Sequence, residues 1–237
     1  LLVGREEESG LLRRRWEQSR TGQGQVVLVS GEAGIGKSVL VESLRAVARA
    51  EGAPRVTFRC SPYHADSALH CVISYLERVL DFAPDDSPEV KMDKLTAGLA
   101  PSGLPLAEVM PLFAGLLSIP DEREPRPTLT PEQWKQQTLE AVLSWLSALA
   151  ERQPLLVTWE DLHWADPTTL ELIGMALKEA PTVPVLHVLT HRPMFNPPWG
   201  PQSHVTPIGL ARLERPQVEA LIAQCAKHKP LPPEVVE

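Results

Sequence analysis

Short apolar runs alternate with amphipathic stretches along this 237-residue chain. Runs of five to eight residues that are rich in apolar and β-branched side chains predict strands. These runs occupy residues 25–30, 55–60, 155–159, 183–190 and 204–210. Between them, apolar residues recur at helical spacing. Such an alternation predicts an α/β fold whose mostly parallel sheet is covered by helices on both faces.

The helical stretches carry start signals at the sequence level. Helices are predicted over about 6–20, 38–51, 67–80, 130–152, 166–180 and 216–227. Thr130 is a capping residue with Gln133 as its capping-box partner, and Asp166 suits the N-cap of the helix that follows it. The Pro-rich segment 84–130 is a helical insertion, with short helices predicted at about 90–100 and 106–117.

Residues 31–38 read Gly-Glu-Ala-Gly-Ile-Gly-Lys-Ser, a full match to the phosphate-binding loop G-x-x-x-x-G-K-[ST]. A strand precedes the loop and a helix follows it, as the motif requires. The glycines let backbone N–H groups turn toward a phosphate, Lys37 supplies a cation near the terminal phosphates, and Ser38 supplies a hydroxyl to Mg²⁺. The expected nucleotide contacts are Gly31, Gly34, Ile35, Gly36, Lys37, Ser38 and Val39. The sequence therefore predicts binding of ATP or GTP.

Two carboxylates, Glu160 and Asp161, close the apolar strand 155–159. Ligands of parallel sheets bind at the carboxyl ends of the strands, so both acids are predicted to lie beside the phosphate loop. One carboxylate is needed to hold Mg²⁺ with Ser38, directly or through water, and another to orient the attacking water. Successive strand residues point to opposite faces, so the two roles should differ. The alternative is an acidic strand end at the surface.

Arg192 ends the following strand, where it would lie near the γ-phosphate and report its presence. An arginine that is merely solvated is the competing interpretation. His163 either contacts the site or only its own loop. His64 and Asp66 follow the second strand, where a structured loop is the commoner explanation than a cleft position.

Composition narrows the class of protein. A net charge of -7 argues against broad electrostatic binding to nucleic acid or to an anionic membrane. No apolar run approaches the roughly 20 residues of a membrane-spanning helix, and the three cysteines lack metal-ligand spacing. These features predict a cytoplasmic protein with reduced thiols. The chain begins with Leu and stops after a Pro-rich turn at 230–233, so we expect a piece of a longer protein.

With these residues placed, the chain closely resembles the AAA-type module of the signal-transduction ATPases with numerous domains (STAND). It is most similar to the ATPase domain that follows a class III nucleotide cyclase domain in bacterial multidomain proteins. Besides the phosphate loop, the resemblance rests on Leu-Val-Gly-Arg-Glu at 2–6, Cys-Ser-Pro-Tyr-His at 60–64, Glu-Asp-Leu-His-Trp-Ala-Asp at 160–166 and Thr-His-Arg-Pro at 190–193. It covers nearly the whole chain.

The resemblance implies a P-loop NTPase (ASCE/AAA-like) sheet of order 5-1-4-3-2, with the carboxylate strand third. It implies an ATPase core over 1–210 and the start of a helical lid over 211–237. It also implies residue roles: adenine contacts at Val3, Gly4 and Arg5, Mg²⁺ at Glu160, the catalytic carboxylate at Asp161 and the sensor arginine at Arg192. Members are nucleotide switches that commonly carry tetratricopeptide-like repeats after the ATPase. Flanking domains, including a cyclase, are therefore the expected partners.

Two departures from the family pattern bear on activity. Glu precedes Asp here, and the shorter Asp161 reaches the attacking water less well, so we expect slow hydrolysis suited to a timer. In the family the Gly-x-Pro motif of the lid falls a little after the position of residue 237, so we expect weaker ATP binding than by a chain that extends through the lid. Two alternatives stay open: a nucleotide-binding scaffold without hydrolysis, and a DNA-associated AAA ATPase, which the acidic balance opposes.

Overall fold

The computed structural model describes residues 3–120 and 129–225, the last two by their backbone alone. Within these ranges five strands form one sheet: β1 (Gln25–Ser30), β2 (Arg55–Arg59), β3 (Leu155–Glu160), β4 (Val185–His191) and β5 (Val205–Gly209). Every neighbouring pair is parallel, and the order is β2-β3-β4-β1-β5. From the other edge this is 5-1-4-3-2, so the predicted P-loop NTPase sheet is confirmed.

Helices lie before, between and after the strands, and within the described residues β4 is followed by β5 without a helix between them. They are α1 (Glu6–Arg20), α2 (Lys37–Ala50), α3 (His70–Val79), α4 (Pro88–Leu99), α5 (Leu106–Leu116), α6 (Pro131–Arg152), α7 (Pro167–Glu179) and α8 (Arg215–Cys225). The predicted insertion contains α4 and α5, within a residue or two of the expected bounds. Its residues 121–128, like the predicted end of the last helix at 226–227, lie outside the described residues. Among the described helices, none combines the length and apolar character that a membrane crossing requires.

Helices cover both faces of the sheet, as the alternating pattern predicts. On one face α1 and α2 bury side chains such as Trp16 and Leu44 against β1, β3 and β4. On the other face α3 to α7 pack around Phe58 and Trp159. Every residue of β3 and β4 is buried. This explains why these two strands are largely apolar in sequence, which is typical of central strands in a parallel sheet.

The predicted caps are confirmed, and one helix start is corrected. Thr130 Oγ1 accepts a hydrogen bond from the Gln133 N–H at 3.2 Å, while Gln133 Oε1 accepts one from the Thr130 N–H at 2.9 Å. Asp166 Oδ1 accepts the Thr169 N–H at 2.9 Å before α7. The helix predicted from residue 67 begins only at His70, because Leu69 has a φ of 55° and interrupts right-handed helix.

Candidate nucleotide-binding site

The phosphate loop connects β1 to α2 at the carboxyl edge of the sheet. Gly34 and Gly36 have φ values of 75° and 104°, which only glycine adopts without strain. The Gly31 N–H donates to the His191 carbonyl of β4 at 3.2 Å, and the Leu210 N–H donates to the Ser30 carbonyl at 2.8 Å. The loop is therefore held between two strands, and the free N–H groups at the start of α2 face the space above it.

Lys37 is buried within this loop. Its Nζ donates to the carbonyl oxygens of Gly31 at 2.7 Å and Glu32 at 2.8 Å. Burial lowers the pKa of Lys37, the Asp161 carboxylate opposes that shift, and the Arg192 guanidinium adds to it. Asp161, which follows β3, and Arg192, which follows β4, are therefore near enough to Lys37 to interact with it electrostatically.

Asp161 occupies a backbone conformation that is uncommon for a residue other than glycine. Its φ and ψ are 59° and 47°, a left-handed geometry that Asp tolerates better than most residues and that clusters at functional sites. Its N–H donates to Thr190 Oγ1 on β4 at 3.1 Å, and its side chain is exposed. The turn at Asp161 therefore presents a carboxylate on the site side of the sheet edge, held by β4.

Glu160 points away from Asp161, toward α2 and β2. Its carboxylate is buried between two arginines: Oε1 accepts from Arg45 Nη2 on α2, and Oε2 accepts from Arg59 Nε on β2 at 2.7 Å. Arg45 also donates to Thr158 Oγ1 at 2.8 Å. Ser38 lies in the first turn of α2, seven residues before Arg45, and therefore on the same helix face. The two acids diverge, as strand geometry predicts.

Arg192 and His163 complete this edge of the sheet. The Arg192 guanidinium lies 5.8 Å from the centre of the Trp164 ring, a cation–π contact that holds an otherwise exposed side chain. Burial lowers the pKa of His163, Asp161 opposes that shift, and Arg192 and Lys37 reinforce it. Both ring nitrogens of His163 are buried without a hydrogen-bond partner among the described residues. The ring of His163 packs against Trp164 of its own loop, with the ring centres 5.1 Å apart, and its role in the site stays undecided.

The amino-terminal segment lies beside the loop. Buried Arg5 donates through Nη2 to the Ala211 carbonyl at 2.5 Å and to the Ile35 carbonyl at 3.3 Å, and through Nη1 to Glu8 at 3.0 Å. Its guanidinium thus ties the phosphate loop to the chain after β5. Gly4 has a φ of 66° and lies against Gln217 of α8. The contacts of Val3, Gly4 and Arg5 with adenine stay a prediction.

The loop after β2 is structured by its own side chains. The rings of His64 and His70 stack with their centres 3.6 Å apart. The interaction of the neighbouring Cys60 and Cys71 thiols raises the pKa of Cys60 and lowers that of Cys71, and Cys71 Sγ lies 3.7 Å from Thr169 Oγ1. The structured-loop interpretation of His64 is the one that these contacts favour.

Sequence reasoning missed the two arginines that hold Glu160. Arg45 occupies a position of α2 whose neighbours Val41, Leu44 and Ala48 are all buried. A charged residue on a buried helix face requires a partner, so this placement was a usable signal. Arg59 carried no comparable signal, because its side chain is 70% exposed.

The oxygen donors at this edge suit Mg²⁺, which binds through one or two side-chain oxygens together with water and phosphate. Ser38 offers a hydroxyl and Asp161 an exposed carboxylate. Glu160 is engaged by both arginines. In the described ranges no group of three or more His, Cys, Asp and Glu is arranged to hold a metal ion alone. The donor set therefore fits a cation that arrives with a phosphate ligand.

A family model described as "AAA ATPase domain" matches residues 1–189. A Rhizobium meliloti (strain 1021) protein, "Uncharacterized protein R02095", is 31% identical over 230 residues, which are 96% of this chain and 22% of that protein. This chain therefore spans about a fifth of that relative's length.

Two solved structures share the fold at low sequence identity, and a third is less similar. An E. coli MS115-1 HORMA:CdnC:Trip13 complex contains a chain that is 12% identical with a TM-score of 0.55, covering 100% of this chain and 72% of that one. A chain of Drosophila ORC bound to DNA is 12% identical with a TM-score of 0.53, covering 94% and 47%. A STAND protein with a tetratricopeptide repeat sensor from Pyrococcus horikoshii is 15% identical, covering 94% and 26%, with a TM-score of only 0.42.

Proposed function

The chain belongs to the AAA ATPase domain family, and we propose that its phosphate-loop site binds Mg-ATP and hydrolyses it slowly, as the nucleotide switch of a longer signal-transduction protein. The observation that carries this proposal is the geometry of one sheet edge. The Gly31 N–H bonds the His191 carbonyl, the residue before Arg192, and the Asp161 N–H bonds Thr190 Oγ1, so both predicted side chains follow strand ends beside the loop that holds Lys37. A phosphate-binding cation, a carboxylate and a second cation at one sheet edge are the groups that phosphoryl transfer to water needs.

In the proposed mechanism the N–H groups at the start of α2 and Lys37 hold the β- and γ-phosphates. Ser38 and, through water, Glu160 would hold Mg²⁺, whose charge offsets that of the phosphate oxygens. The water-mediated role suits Glu160, because both its oxygens already accept from arginines. Asp161 accepts a proton from, or orients, the attacking water, and Arg192 stabilises charge on the γ-phosphoryl group.

The switch role is supported by Arg5. One guanidinium group bonds both the Ile35 carbonyl in the phosphate loop and the Ala211 carbonyl after β5. A change in the loop on nucleotide binding or hydrolysis would therefore be transmitted through Arg5 to the segment that leads into α8. The proposed signalling setting, with flanking domains and a possible cyclase, rests on the STAND resemblance of the motifs. A much longer relative supports a multidomain setting.

Nucleotide titration tests the binding half of the proposal. Lys37→Met removes the cation from the loop, and we expect ATP affinity measured by calorimetry in Mg²⁺ buffer to fall at least about 30-fold. Lys178→Met is the matched control, because Lys178 is an exposed lysine on α7. Equal ATP affinity in the two variants would contradict the proposed site.

A further inference from the structure

A cleft of about 370 Å³ runs along the outer side of the edge strand β2, between α2 and α3. Five arginines line it: Arg45 and Arg49 from α2, Arg55 and Arg59 from β2, and Arg78 from α3. Its volume lies within the range of small-ligand sites. Such a concentration of positive charge is unexpected in a chain whose net charge is -7.

The positive charge in the cleft is only partly compensated. Glu42 forms ion pairs with Arg45 at 3.4 Å and with Arg49 at 3.2 Å, and Glu160 forms ion pairs with Arg45 and Arg59. Within the described part of the chain the remaining two arginines form no ion pair. Arg55 donates to the Ala53 carbonyl at 3.0 Å, and the Arg78 guanidinium lies 5.4 Å from the centre of the Tyr75 ring. Five guanidinium groups thus face two carboxylates.

An unsatisfied donor lies in the wall of the cleft. Arg45 is only 7% exposed, and its Nε is buried without a hydrogen-bond partner among the described residues. An unpaired donor on a buried cation is costly, because neither water nor protein compensates its lost hydration. Such an atom calls for an ordered water or a bound ion as its partner.

We propose that this arginine-lined cleft is a second anion site, separate from the phosphate loop, that binds a small molecule or ion carrying two or more phosphate groups. Guanidinium forks match phosphate oxygens bidentately, so several arginines around one small volume favour a multivalent anion. The small volume of the cleft and the acidic chain oppose a nucleic-acid polymer. Exposed Arg59 and Arg78 reach the opening, while buried Arg45 forms the wall.

The test uses sodium tripolyphosphate as the probe and a Lys37→Ala background, which weakens phosphate binding at the loop equally in every sample. Adding Arg55→Gln and Arg78→Gln removes two cleft cations that do not contact Glu160. Calorimetric affinity for tripolyphosphate is then expected to fall about 30-fold. The matched control adds Arg13→Gln and Arg14→Gln on the exposed face of α1, with an expected change of less than about threefold. Failure of the proposed ATPase activity would leave this comparison unaffected.

Equal weakening by both pairs of substitutions, or no tripolyphosphate binding in the background protein at millimolar concentration, would overturn the site. Thermal denaturation provides a second readout: tripolyphosphate should raise the melting temperature of the background protein but not that of the cleft variant. Citrate, a trivalent carboxylate, is the chemical control. If citrate binds as tightly, the assignment to phosphate groups is wrong. A single-stranded oligonucleotide that binds more tightly than tripolyphosphate, with the same arginine dependence, would replace the small-anion assignment by a nucleic-acid one.

Discussion

Replacing Arg45 by Met should destabilise the protein far more than replacing Arg59 by Met, although both arginines contact the same carboxylate. The Arg45 side chain is 9% exposed, that of Glu160 is 12% exposed, and that of Arg59 is 70% exposed. Arg45→Met leaves Glu160 buried with only a solvated partner, and Met retains most of the apolar stem of the arginine.

The magnitudes follow from burial. Removing one partner of a buried ion pair costs about 3–5 kcal/mol. Because Arg59 still holds Oε2, we expect the lower end of this range, about 3 kcal/mol, for Arg45→Met. An exposed partner contributes about 0.5 kcal/mol, the value expected for Arg59→Met. For a domain of this size the two changes correspond to losses of about 6–12 °C and about 1–2 °C in melting temperature.

Urea unfolding followed by tryptophan fluorescence gives both free energies. A third variant tests the cause: Arg45→Met combined with Glu160→Gln removes the stranded charge and should recover about 2 kcal/mol relative to Arg45→Met alone. Equal costs for the Arg45 and Arg59 substitutions would refute the reasoning, since burial would then not determine the strength of the pair. Absence of recovery in the double variant would do the same.

Two further predictions concern stability. The pKa of His187 is lowered to about 3, chiefly by burial and to a lesser extent by His204. Below about pH 6.5 the unfolded chain therefore binds a proton at His187 that the native state does not bind. The stability that neutral His187 contributes is fully present above that pH and is lost as the pH falls. Between pH 7.5 and 5.0 the free energy of unfolding in urea should therefore fall by about 2 kcal/mol more for the wild type than for His187→Gln. Equal losses in the two proteins would contradict this. A Cβ at Gly4 would lie 2.5 Å from Gln217 Cδ, whereas one at Gly52 (φ 72°) meets nothing within 4 Å. Both Ala substitutions incur about 1 kcal/mol of strain from the left-handed backbone. Gly4→Ala should cost about 1 kcal/mol more in melting experiments, because Gln217 must move and lose its hydrogen bond from the Glu214 N–H. Identical costs for Gly4→Ala and Gly52→Ala would show that Gln217 moves without loss of stability.

Much of the fold could be predicted from local pattern. The strands β3 and β4 appear as apolar runs because both their faces are buried, and the phosphate loop places β1 and α2 without further information. The sheet order came from the family resemblance rather than from periodicity, which says nothing about which strands are neighbours. Local pattern failed at Leu69, because an apolar residue at helical spacing does not reveal a positive φ.

The sequence predicts which residues lie at the carboxyl edge of the sheet, but not how their side chains pair. Lys37, Asp161 and Arg192 come from different strand ends, and parallel strands that end at one edge bring them together. The partners of Glu160 could not be predicted, since Arg45 and Arg59 precede it by 115 and 101 residues. Such pairings depend on tertiary packing, and no spacing in the sequence encodes them.

Single-turnover hydrolysis tests the central claim most directly. With protein in excess over radiolabelled ATP and Mg²⁺ present, the rate constant for phosphate release reports the chemical step. Asp161→Asn keeps the shape of the side chain and removes its basicity, so we predict a rate at least about 100-fold below that of the wild type. Asp93→Asn, an exposed position on α4, is the matched control and should hydrolyse ATP at the wild-type rate. Equal rates for the wild type and Asp161→Asn, with ATP bound in both, would contradict the account and favour a scaffold that binds nucleotide without hydrolysing it.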